Sequence, residues 1–127
     1  MAQHNEFGQW GEELAERFLI DEGYFVRHRD WHFGHRDIDL VATDKDGTLV
    51  FVEVKTRRNT DFSTPEESVD QKKIHNLAAA AAAYIKTFQV DVPVRFDVIT
   101  IVGDGVYEAK ITHYPNAFLP PTNYERP

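Results

Sequence analysis

The sequence predicts an α/β fold, a mixed central β-sheet flanked by α-helices, and three observations predict it. A helix-period apolar stripe opens the chain, two strand-like runs joined by an Asp-Gly turn follow, and an alanine-rich helical stretch separates them from two further strand-like runs. The resulting order is helix, three strands, helix, two strands.

Each element has its own signal. Residues 6–22 read as a helix, because Phe7, Trp10, Leu14 and Phe18 recur at steps of three and four, and Gly23 suits its C-cap. On that helix Glu12 falls at the flank of the apolar stripe near Ala15 and Leu19, whereas Glu13 and Glu16 point further outward. Residues 24–29 look like a first strand, followed by a polar, aromatic loop over 30–36. Residues 37–42 and 49–56 alternate apolar and polar side chains, and Asp44-Lys45-Asp46-Gly47 between them predicts an antiparallel hairpin. Residues 57–68 have a loop composition that ends in a capping box, Thr64-Pro65-Glu66-Glu67, with Asp70 as a rival cap. A second helix then runs over residues 69–88, with an unbroken alanine stretch from Ala78 to Ala83 that lets a backbone lie close to a sheet. After Pro93 the run 94–101 alternates as a strand, and Gly103-Asp104-Gly105 turns into a last short strand over 106–112.

A chain of 127 residues that is 42% apolar predicts one domain with a single core, spanning about residues 6–118 with a tail over 119–127. No apolar stretch approaches the roughly 20 residues of a membrane span, and the N-terminus lacks a signal-peptide pattern, so a cytoplasmic protein is expected. The absence of cysteine excludes disulfides, thiol nucleophiles and zinc ribbons, leaving oxygen and imidazole as metal ligands. A formal charge of −7 opposes phosphate binding. Between Gly23 and Thr60, however, Arg27, Arg29, Arg36, Lys45, Lys55, Arg57 and Arg58 nearly balance Asp30, Asp37, Asp39, Asp44, Asp46 and Glu53, and a bound divalent cation would turn that local field positive.

The chemistry concentrates in the hairpin. Strand alternation puts Glu53 and Lys55 on one face with Phe51, and Val50, Val52 and Val54 on the other; Asp37 and Asp39 likewise share a face. A register that brings Asp39 near Glu53 would converge two hard carboxylates, which suits Mg²⁺ or Mn²⁺. A Glu-x-Lys pair alone is usually a same-face ion pair; the upstream strand Asp and helical Glu12 strengthen the metal-site reading. Arg95 and Asp97 read as a structural pair, Asp37 as a partner of Arg36 or Arg95, and His32 and His35 as polar surface. Arg27, Arg29, Arg57 and Arg58 are candidates for phosphate contacts. Trp31, Phe33 and Phe62 could stack on bases, with buried packing the alternative for Trp31.

Taken together, Gly8 to Ala15, Gly34 with Asp37 to Val41, Val50 to Arg57, Lys72-Lys73, Arg95 to Val98, His113-Tyr114 and Asn116 to Phe118 resemble the successive motifs of the YraN-like family. This is a bacterial group of predicted endonucleases similar to archaeal Holliday junction resolvases, within the PD-(D/E)xK superfamily. Where that family commonly has Gly-Glu-Ile-Asp, this chain has Gly34-His35-Arg36-Asp37-Ile38-Asp39. The resemblance implies a restriction-endonuclease-like core in which Asp39, Glu53 and the Val54 carbonyl hold Mg²⁺ or Mn²⁺. Lys55 would position water or stabilise phosphate charge, and Glu12 would hold a second ion or orient water. Lys72 would meet the phosphate. The expected activity is metal-dependent hydrolysis of DNA, on branched or repair intermediates by analogy with the resolvases. A resolvase normally works as a homodimer, and no segment of this sequence marks a dimer face. The alternatives are a binding module that keeps the nuclease scaffold without cleavage, favoured by the acidic charge, and a small-molecule phosphoesterase.

Overall fold

The computed structural model describes residues 2–58, 71–103 and 109–117. The elements are α1 (Ala2–Asp21), β1 (Phe25–Phe33), β2 (Arg36–Thr43), β3 (Leu49–Arg57), α2 (Gln71–Phe88), β4 (Val94–Val102) and β5 (Lys110–Tyr114). The strands form one sheet in the order β1-β2-β3-β4-β5, antiparallel except for the parallel β3–β4 pair. A parallel pair needs a crossover, and α2 lies within it. The result is the mixed sheet flanked by two helices that the sequence predicts. The capping box at 64–67, the rival cap Asp70, Phe62, the turn at Asp104-Gly105, the start of the last strand and the tail all lie outside the described residues.

Each face of the sheet carries its own helix. Ala15 and Leu19 of α1 pack with Leu40, Ala42, Val50, Val52, Val54, Ile99 and Ile101. Leu77, Ala80, Ala81 and Tyr84 of α2 pack with Val41, Leu49, Phe51 and Phe96. The alternation of β3 therefore falls as predicted, with its valines toward α1 and Phe51 toward α2. Alanines let α2 lie close to the sheet, and Tyr84 fills the remaining depth by edge contacts to Phe51, Trp31 and His28.

Turn chemistry sets the register. Gly23 has φ +96, and the N–H groups of Gly23 and Tyr24 bond the carbonyls of Ile20 and Leu19, which is a Schellman ending for α1. In the β2–β3 hairpin Asp44 Oδ1 accepts the N–H groups of Asp46 and Thr48, each at 2.9 Å.

The region 30–36 differs from expectation. β1 runs on to Phe33, which pairs with Arg36, leaving Gly34-His35 as a two-residue turn. Positive φ at Gly34 alone gives the II′ pattern that matches strand twist. Alternation revealed this strand only as far as Arg29 because its pleat is broken beyond that point. Arg29 reaches Glu16 on α1, whereas Trp31, two residues on, joins the α2 cluster. Across from them, Leu40 faces α1 and Ile38 joins the α2 cluster. Residues two apart normally share a face, so the break lies at Asp30 and Asp39, which fall between the pairs Arg29↔Leu40 and Trp31↔Ile38. Asp30 has φ 49, a left-handed conformation that costs a non-glycine residue about 1–2 kcal/mol.

Candidate metal centre

The broken pleat gathers the acids. The β2–β3 ladder runs from Thr43↔Leu49 to Leu40↔Val52 and ends just short of Asp39 and Glu53. There Asp39 Oδ2 accepts the Val54 N–H at 2.8 Å, so a side chain satisfies a β3 backbone donor. Above this fork, α1 brings Glu12 in. Ligand oxygens of Glu12, Asp30 and Asp39 all lie within 4.8 Å of one another. Close approach of α1 depends on Gly11, where an added Cβ would overlap Thr56 Oγ1. Glu12 Oε1 is buried with no hydrogen-bond partner among the described residues.

Glu53, whose charge acts on Asp39, is only 4% exposed. Its Oε2 lies 3.7 Å from Lys55 Nζ and 3.3 Å from Lys73 Nζ. The lysine of α2 at Glu53 is therefore Lys73; Lys72, which the family motif assigns to the phosphate, is exposed, as Lys73 is. Helix phase carried the signal for this, because Lys73 precedes Leu77, Ala80 and Tyr84 on the stripe that faces the sheet. Asp30 was counted in the sequence only as a charge within a loop.

The electrostatics show carboxylates short of cations. Burial, then the charge of Asp30 and a shared hydrogen bond with it, push Glu12 up to about 7. Burial and the charge of Glu53 push Asp39 well above the ordinary range, against the opposing bond from Val54. Burial keeps Glu53 raised even though Lys73 and Lys55 pull it down. Asp37 is exposed and adds repulsion to all three. Such a set of hard oxygens, mutually repelling and in part unpartnered, fits a divalent cation held by oxygen ligands.

The basic candidates do not share one face. Arg27 sits by the Tyr84 hydroxyl on the α2 side, while Arg29 pairs with Glu16 at 3.1 Å on the α1 side. Arg58 stacks 4.2 Å over Phe7, and Arg57 Nη1 donates to the Thr56 carbonyl. Trp31 packs against Tyr84 and Phe88, so the packing alternative describes it, while Phe33 is exposed. The exposed His32 and His35 fit the polar-surface reading.

A second acid lies elsewhere. Asp97 is fully buried, and Arg95 donates to both of its oxygens at 2.9 and 3.0 Å. His113 Nε2 lies 2.7 Å away and the Asn116 N–H donates at 2.8 Å. Arg95 also bonds Asp44 and the Tyr24 hydroxyl, so Asp44 and Asp97, not Asp37, are its acidic partners.

The comparisons agree over almost the whole chain. Proteins named UPF0102 protein from Bacteroides thetaiotaomicron and Phocaeicola vulgatus are 52% and 50% identical over 121 residues, covering 95% of this chain and 98% of each relative. A further one from Syntrophomonas wolfei is 47% identical over 117 residues, covering 91% of this chain and 99% of that one. A solved structure of Pyrococcus furiosus SfsA in complex with Ca²⁺ aligns at a TM-score of 0.38 and 14% identity, over 87% of this chain and 63% of that one, too weak a likeness to bear on the site. The family model described as "Uncharacterised protein family UPF0102" matches residues 11–101, and the chain belongs to that family.

Proposed function

We infer that this protein is a divalent-metal-dependent endonuclease that hydrolyses DNA phosphodiester bonds, related to the YraN-like and resolvase-like PD-(D/E)xK enzymes that its motifs resemble. The carrying observation is the fork itself: Asp39 and Glu53 are desolvated and raised in pKa, with Glu12 and Asp30 converging on Asp39 and Lys55 beside Glu53. A divalent cation bound there would supply charge for the scissile phosphate and an activated water.

Asp39, Glu53 and the Val54 carbonyl are the proposed ligands. Glu12, with a buried oxygen that has no hydrogen-bond partner among the described residues, either adds a ligand or takes the proton of the attacking water. Lys55 stabilises negative charge developing on the phosphate. Arg27, Arg29, Arg57, Arg58 and Lys72 remain proposed backbone contacts, from both sides of the β1 edge, the end of β3 and the first described turn of α2. Net charge makes DNA binding metal-dependent, because the cation offsets the acids nearest the phosphate.

One observation favours a non-catalytic module on the same scaffold: Glu53 already has two lysines within 4 Å. Incubation with Mg²⁺ or Mn²⁺ and single-stranded, duplex, flapped and four-way DNA separates the readings. The nuclease reading predicts cleavage that falls on the order of 100-fold or more in Asp39→Asn and Lys55→Ala. Failure of every substrate, with metal binding intact, would favour the module.

A further inference from the structure

We propose that Lys73 is the site's built-in substitute for the metal, an ammonium that neutralises Glu53 in the metal-free protein and is exchanged out when a divalent cation binds. The proposal rests on the reading of the fork as a metal site and adds a residue to it. A carboxylate as buried as Glu53 cannot stay ionised without a cation nearby. Two ammonium groups answer that need, and they differ in how readily they can leave.

Lys55 extends from the same strand as Glu53, and its side chain is 15% exposed, so withdrawing it would mean moving it within packed surroundings. Lys73 comes from the first described turns of α2, lies nearer Glu53, and has a side chain 45% exposed. Its flexible stem can swing toward water without disturbing the helix, and its ammonium regains hydration when it does so. The charge of Glu53, with smaller contributions from Asp39 and Asp37, raises the Lys73 pKa, so its ammonium also feels the fork beyond Glu53. A divalent cation among the same carboxylates carries twice its charge and would repel it. Metal and Lys73 are thus alternative occupants of one electrostatic position.

Competition has a signature that a supporting structural role lacks: removing Lys73 should tighten metal binding. Mn²⁺ affinity is measured by calorimetry for the wild type and for Lys73→Met, Lys73→Arg and Lys72→Met, with melting in chelator alongside. Lys73→Met should bind Mn²⁺ on the order of threefold to tenfold tighter than wild type and melt lower without metal. Lys73→Arg, whose fork grips a carboxylate in two places, should bind Mn²⁺ more weakly. Lys72→Met removes the same charge one residue away and sets the size of the long-range effect. Lys73→Met binding no tighter than Lys72→Met, or Lys73→Arg binding tighter than wild type, overturns the exchange. A Lys73→Met protein unfolded in chelator should regain its circular dichroism with Mn²⁺, and failure to do so also overturns it. No Mn²⁺ binding by any of the four proteins, wild type included, removes the metal reading itself, and the exchange with it.

Discussion

Two clusters of carboxylates are set into the same sheet, and they are treated in opposite ways. Asp97 on β4 is surrounded by donors: burial acts to raise its pKa, yet the bonds from His113, Arg95 and Asn116 outweigh that and hold it below the ordinary range. At the β2–β3 fork, burial and mutual repulsion win, and Glu12, Asp39 and Glu53 are all raised. The fold can therefore satisfy a fully buried acid. It does so at Asp97, where Arg95 joins the start of β4 to Tyr24 before β1 and Asp44 in the hairpin turn, and His113 and Asn116 bring in the C-terminal segment. Among the described residues Lys55 and Lys73 both stand at Glu53, yet all three carboxylates of the fork stay raised, an imbalance that fits a cation site.

The contrast is broken most severely at the satisfied cluster. Asp97→Ala takes the carboxylate from His113 and the Asn116 N–H and leaves Arg95 only Asp44 and Tyr24, and should cost about 3–5 kcal/mol in urea unfolding, with Mn²⁺ affinity per folded molecule unchanged. Next comes the helix contact. Gly11→Ala sets a methyl group against Thr56 and should cost about 1–3 kcal/mol, and by lifting α1 it should weaken Mn²⁺ binding as well. Asp39→Asn should do the reverse of Asp97→Ala, keeping or slightly raising stability in chelator, within ~1 kcal/mol, because it removes a repelling charge while abolishing metal binding.

The smallest effect is in pH, and its sign differs between the clusters. Glu12 has an ordinary value of 4.5 and a folded value of about 7, so the folded state holds the proton over that interval. Its contribution is full below the lower value and is lost as pH rises through the upper one. Asp97 is lowered from 3.8, so its contribution is present above that value and is lost as pH falls below it. In chelator, melting temperature should decline from pH 5 to pH 8, and saturating Mn²⁺ should flatten or invert that decline. A decline that persists unchanged with metal would separate Glu12 from the metal site.

What could be read in the sequence follows the same division. Elements whose side chains keep their period were legible: α1 with Glu12 on its inward flank, the alternation of β3, the hairpin at Asp44-Gly47, and the Arg95–Asp97 pair. The end of β1 was not, because the break at Asp30 hides the strand at the very position where the site needs an irregular backbone. Convergence of Asp30 with Glu12 depends on that break, and no local pattern encodes it. The choice between Lys72 and Lys73 is different. The phase of α2 turns Lys73 toward the sheet and Glu53, a place that a motif match pointing to Lys72 as a phosphate contact did not reveal.

Binding of a divalent cation by the raised carboxylates of the fork is tested most directly by following the melting temperature of wild type and Asp39→Asn at pH 8 across a Mn²⁺ titration. The account predicts a saturable rise in the wild type, absent from a variant that starts at least as stable in chelator. A wild type that shows no rise, or a variant that rises equally, would contradict it.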